Sequence, residues 1–132
     1  MRALLPLLLL AAPLNAAARA APAITGTWRN PGGSVQVAMA PCGQRLCGTV
    51  VAASDQAKDD AARGGTDALI GTQLFQGLIP DGPGHWSGSV FVPDIGRTVA
   101  GTLELIDGRT LEVSGCVIPG LVCQTQTWTR TR

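Results

Sequence analysis

The chain is predicted to be all-β, an eight-stranded antiparallel up-and-down barrel stapled by two hairpin disulfides. Beyond residue 24, apolar residues recur with period two between Gly- and Pro-rich breaks, the pattern of half-buried antiparallel strands. The breaks are mostly short, which pairs each strand with its sequence neighbour in a meander. Gly26-Thr27-Trp28 near the start is answered by Trp128-Thr129-Arg130 near the end, as expected where a closed barrel sets its first and last strands side by side. In that arrangement the Arg130 guanidinium stacks on the Trp28 indole, worth roughly 0.5–2 kcal/mol. Gly26 lets backbone and ring approach closely.

The first element is a leader. Arg2 is a positive n-region, and an apolar run from Ala3 to Leu14 holds Leu7-Leu8-Leu9-Leu10. Small-residue cleavage sites follow at Ala18-Arg19-Ala20 and Ala21-Pro22-Ala23. The run falls short of the roughly 20 apolar residues that span a bilayer, and Pro6 and Pro13 weaken it further as a helix. Residues 1–20 therefore read as a cleaved signal peptide, with cleavage after 23 as the alternative, and residues 21–132 as one domain. That reading places the protein in the periplasm or outside the cell, with no stable membrane insertion once the leader is gone.

Eight strands follow, at 24–29, 34–40, 46–53, 69–78, 85–92, 98–105, 110–116 and 123–130. Val35, Val37 and Met39 alternate with polar or small residues, as do Val99, Gly101, Leu103 and Leu105, then Leu111 and Val113. Asn30-Pro31-Gly32-Gly33, Pro80-Asp81-Gly82-Pro83-Gly84, Pro93-Asp94-Ile95-Gly96 and Asp107-Gly108 supply the turns. Gly71, Gly77, Gly88, Gly101 and Gly115 fall within expected strands, where glycine permits the curvature of a small barrel. A two-sheet sandwich is the competing arrangement. The linker at 54–66 is long and polar, ends in Gly64-Gly65, and is read as a functional loop with room for a single helical turn at 56–63.

Four cysteines allow three pairings. Cys42 and Cys47 flank one expected hairpin, Cys116 and Cys123 another. In an up-and-down barrel these hairpins lie at opposite ends, and bridged Cα atoms must lie within roughly 7 Å. Local pairs, Cys42–Cys47 and Cys116–Cys123, satisfy that limit. A four-thiolate zinc site fails it and lacks Cys-x-x-Cys spacing. Disulfides also fit an oxidising compartment.

Catalytic chemistry is sparse. His85 is the one histidine, there is no tyrosine, and no serine sits in a Ser/His/acid context. Asp59-Asp60 reads first as solvated loop charge and second as a carboxylate dyad or hard-cation site. Ten Lys and Arg face nine Asp and Glu, and loss of Arg2 and Arg19 with the leader leaves eight against nine. The remaining cations are scattered rather than gathered in the stripe a nucleic-acid binder needs. No motif implies a cofactor or metal, and the protein reads as a non-enzyme.

Gly26-Thr27-Trp28, Pro41-Cys42-Gly43, Leu46-Cys47-Gly48, Leu69-Ile70-Gly71, Trp86-Ser87-Gly88, Pro93-Asp94-Ile95-Gly96-Arg97-Thr98, Leu111-Glu112-Val113-Ser114-Gly115-Cys116 and Gln126-Thr127-Trp128-Thr129-Arg130 occur in that order. The series resembles the bacterial exported family called domain of unknown function 2147. The closing Gln-Thr-Trp-Thr-Arg is its most specific piece. The resemblance implies a lipocalin-like barrel and supplies no activity. Val99 stands where the family usually has an aromatic, and Lys58-Asp59-Asp60 only partly echoes the family's Lys-x-x-Asn-Pro segment.

The expected function is binding of a small apolar or amphipathic molecule, or a peptide, at the open end of the barrel. Trp28 and Arg130 mark the closed floor. The mouth is then formed by 30–33, 54–66, 93–96 and 116–123, with Trp86, Val99, Leu103, Asp59 and Asp94 as candidate ligand contacts. The alternative is a protein–protein inhibitor or envelope-assembly factor with a filled barrel. A cavity of a few hundred Å3 favours the first, a filled interior the second.

Overall fold

The computed structural model describes residues 23–118 and 120–131, so residues 1–22, with the first cleavage site, lie outside the described residues, and of the second cleavage motif only Ala23 is described. Eight strands form one closed, all-antiparallel barrel in sequence order: β1 (Gly26–Arg29), β2 (Val35–Cys42), β3 (Arg45–Ala53), β4 (Gln73–Pro80), β5 (His85–Val92), β6 (Arg97–Asp107), β7 (Thr110–Ile118) and β8 (Val122–Arg130). The sandwich is thereby excluded. Closure comes from β1 against β8, where Trp28 pairs with Arg130 and Arg29 with Thr129.

Two expectations are corrected. The linker at 54–66 is not a loop with one turn but carries a nine-residue helix, α1 (Asp55–Arg63). Ser54 caps it by accepting a hydrogen bond from the Ala57 amide at 3.1 Å, Asp55 and Arg63 suit the two ends of its dipole, and Ala61 is buried against the barrel. The fourth strand begins at Gln73, not at residue 69. Leu69–Thr72 instead forms a turn, with the Thr72 amide donating to the Leu69 carbonyl, and docks on β3 through Gly71 N–H to Val50 O at 2.8 Å and Val50 N–H to Thr72 O at 2.9 Å. The chain leaving α1 has to be turned back towards the sheet there, so Gly71 serves a turn at φ +95° rather than a strand.

Both hairpin disulfides are present, Cys42–Cys47 with Cα atoms 5.7 Å apart and Cys116–Cys123 at 4.0 Å. They lie at opposite ends of the barrel, because β2–β3 and β7–β8 connect at opposite ends of an up-and-down meander.

The lower half of the barrel is solid. Trp28, Val37, Met39, Phe75, Leu78, Leu103 and Leu111 are all at most 1 % exposed and come from five strands. Glycines make the room. A Cβ on Gly48 would stand 2.6 Å from the Phe75 ring, and one on Gly101 would stand 2.3 Å from Val90 and 2.8 Å from the Ser114 carbonyl. Contacts that short force neighbours to move, so large side chains reach the axis only because these positions have none. At the floor the Trp28 indole donates to the Ile24 carbonyl at 2.8 Å, and the Arg130 guanidinium carbon sits 4.4 Å above the ring.

Candidate functional site

Along β8 the inward positions are Val122, Gln124, Gln126, Trp128 and Arg130, set by the two-residue period through buried Trp128. Trp128 closes the solid half from above, with its ring edge-on to Phe75 at 5.8 Å and 68°. Above it the barrel is hollow. A chamber of about 570 Å3 is walled by Leu74 and Phe75 of β4, Val90 of β5, Val99 of β6, Val113 and Gly115 of β7, and Gln124 and Gln126 of β8. Its rim carries Ile95, Val117 and Val122, each about half exposed at 50–53 %. Smaller side chains explain the hollow: on β5 to β8 the wall above Trp128 is largely Val, Gly and Gln, where the lower half has Trp, Phe, Leu and Met.

An annex of about 290 Å3 adjoins the chamber beneath α1, sharing Leu74, Val92, Pro93, Gln126 and Trp128 as its wall. It is more polar, with Asn30, Ser34, Gln56, Asp60 and Asp94 around it. Asp60 accepts from Gln56 Nε2 at 2.8 Å and from Arg63 Nη1 at 3.2 Å. The helix is pinned over the mouth by the β5–β6 turn: the Thr66 hydroxyl donates to the Pro93 carbonyl at 3.0 Å, and a Cβ on Gly64 would stand 2.1 Å from the Asp94 carbonyl oxygen. The Gly64-Gly65 pair in the sequence thus marks a docking point between helix and turn.

The structure separates the five candidate ligand contacts. Val99 lines the chamber and Asp94 the annex. Trp86 and Leu103 are buried and line neither cavity. Asp59 is exposed on α1 and lines neither, while its neighbour Asp60 does. The segments around the mouth are the β1–β2 turn, α1, the β5–β6 turn and the disulfide-closed β7–β8 hairpin. His85 is at the other end, in the β4–β5 turn, with Nδ1 3.8 Å from Asp81 Oδ2. Among the described residues no group of three His, Cys, Asp or Glu side chains is gathered as a metal centre requires, and no helix is long and apolar enough to cross a membrane.

Gln124 and Gln126 are the polar residues that sequence reasoning passed over. The signal was available: Gln126, Trp128 and Arg130 sit at i, i+2 and i+4 of one strand, so the terminal signature reads down the inside of the barrel from chamber to floor. The indole N–H of Trp128 donates to Gln126 Oε1 at 3.0 Å. An indole can only donate, so this bond orients the amide and leaves its NH2 as the donor at the cavity wall.

The sequence profile of a family described as "Uncharacterized protein conserved in bacteria (DUF2147)" matches residues 26–130, from the first residue of β1 to the last of β8. The chain belongs to this family. Among solved structures it is similar to a Helicobacter pylori protein described as "Protein HP1028 from the human pathogen Helicobacter pylori belongs to the lipocalin family", with a TM-score of 0.65, 15 % sequence identity and 83 % of each chain covered. At that identity the likeness is one of fold, an eight-stranded lipocalin-like barrel. No curated protein matches the chain.

Proposed function

We propose that this DUF2147 protein is a non-catalytic binding protein of the bacterial envelope, taking a small apolar or amphipathic molecule into the upper chamber. The observation that carries the reading is the chamber itself. Its volume of about 570 Å3 falls in the roughly 300–1,000 Å3 range of small-molecule sites, and its walls are apolar apart from a few placed polar groups. Val99 forms part of the wall and Asp94 part of the annex. Export through the leader at 1–20, or 1–23 on the second cleavage site, is consistent with the two disulfides.

The inhibitor reading calls for a filled barrel and an extended N-terminal segment, and both count against it here. The upper half is hollow, and Arg130 holds the Thr25 carbonyl at 2.8 Å together with that of Ala23, at the floor and away from the mouth. Gly115 offers a direct test. A Cβ there meets only Val99, at an ordinary 3.5 Å, so the first carbon of Gly115→Leu fits without a clash and the rest of the side chain takes volume from the chamber. The variant should fold like the parent yet fail to enhance the fluorescence of N-phenyl-1-naphthylamine, a neutral apolar probe that the parent binds. Native mass spectrometry of the protein from its own periplasm should show a retained small molecule in the parent and none in the variant. Equal probe binding by both would place binding elsewhere.

A further inference from the structure

Resting on that cavity reading, we infer that the ligand is an uncharged acyl compound, an amide or ester, whose carbonyl is held inside the chamber by the Gln126 amide. Three features of the site point to this class. First, the Trp128 bond to Oε1 fixes which end of the Gln126 amide is left over, and that end donates. The wall therefore presents a hydrogen-bond donor beside apolar surface, matching an acceptor attached to an apolar body. Second, among the described residues no Lys or Arg lines the chamber or the annex, whereas Asp60 and Asp94 line the annex. A carboxylate or phosphate drawn to Gln126 would give up part of its water against an apolar wall, with no cation on the cavity lining and with Asp94 and the Arg63-paired Asp60 nearby, an unfavourable exchange. Third, Gln126, exposed to the hollow it lines, stands next to Trp128 at the base, while the rim above it is Ile95, Val117 and Val122. The polar group of the ligand is thus held within, with apolar substituents extending to the mouth, the reverse of an amphiphile that leaves a charged head in water.

The test is displacement of N-phenyl-1-naphthylamine by three compounds of matched chain length: N-methyldecanamide, decanoate and decylammonium. N-methyldecanamide is expected to bind about tenfold or more tighter than decanoate at neutral pH, the scale of one well-placed hydrogen bond against an unpaired buried charge. Gln126→Glu keeps an acceptor for the Trp128 indole but removes the NH2. It should weaken the amide about tenfold more than it weakens the probe, whose own affinity is measured directly in the same variant. Decanoate binding as tightly as the amide, decylammonium binding tightest, or an amide affinity that falls no more than the probe's in Gln126→Glu each overturns the ligand class while leaving the cavity reading intact. Absence of probe binding to the parent protein overturns the cavity reading, and the ligand class with it.

Discussion

Replacing Arg130 by alanine tests how the barrel is closed. The guanidinium lies 4.4 Å from the Trp28 ring centroid, and that ring is fully buried. Its Nη1 donates to the Thr25 carbonyl at 2.8 Å in a half-buried setting, and Nε donates to the Gly108 carbonyl at 2.7 Å in an exposed one. The second amino group bonds the Ala23 carbonyl. One Arg side chain thereby ties the segment before β1, the β6–β7 turn and β8 together. The cation–π contact contributes about 1 kcal/mol and the half-buried charged hydrogen bond about another; the exposed bonds add little against competing water. Arg130→Ala should therefore lose about 2 kcal/mol, which for a domain of this size lowers Tm by about 8 °C. Arg130→Lys keeps the charge but not the planar fork that reaches several carbonyls at once, so about half the loss should remain. Urea unfolding followed by tryptophan fluorescence reads both variants. A midpoint for Arg130→Ala within about 0.5 kcal/mol of the parent, the range of an ordinary surface substitution, refutes the clamp.

Other expectations follow from neighbouring parts of the fold. Gly64→Ala drives a Cβ into the Asp94 carbonyl and should cost about 1–3 kcal/mol, with faster amide exchange through α1 while the floor strands keep their protection. Replacing Cys42 and Cys47 by serine opens a loop of sequence separation 5, and the Cys116/Cys123 pair one of separation 7, each worth about 2–2.5 kcal/mol by loop entropy. Only the second pair closes the hairpin at the chamber rim, so only it should also weaken probe binding. Asp107 Oδ1 accepts from the Arg109 amide at 2.8 Å; that backbone bond, then the Thr110 hydroxyl, hold its carboxyl below the usual carboxylate pKa. With the folded pKa depressed, its stabilising effect is present above the unfolded value near 4 and is lost as pH falls through the lower folded one. An NMR titration of Asp107 in the parent, beside acid unfolding of Asp107→Asn, checks the sign; a midpoint at or above the ordinary value sinks it.

Much of this molecule was legible in the chain. Strand alternation, turn residues and matched terminal tryptophans implied eight strands in a closed ring, and up-and-down geometry then left only local cysteine pairs within bonding reach. The helix was the main miss, although Ser54 before Asp55 and alanines at 57 and 61 carried the signal of a capped helix with one buried face. It was masked because a polar nine-residue segment buries so little that its order depends on docking to the β5–β6 turn. The five candidate contacts divided for a related reason. Trp86, Val99 and Leu103 all alternate as inward residues, and alternation gives a side chain's direction without its height along the axis.

Local pattern therefore determined the strand order and the staples, since period, turn chemistry and reach act between residues close in sequence or joined by a short connection. The seam was legible only through the matched motifs at Trp28 and Arg130. Tertiary structure alone decided that the lower half is solid and the upper half hollow, that α1 roofs an acidic annex, and that Gln126 presents a donor there. Free volume is what remains after side chains from several strands meet at one level, and it belongs to the ring of residues rather than to any segment of the chain.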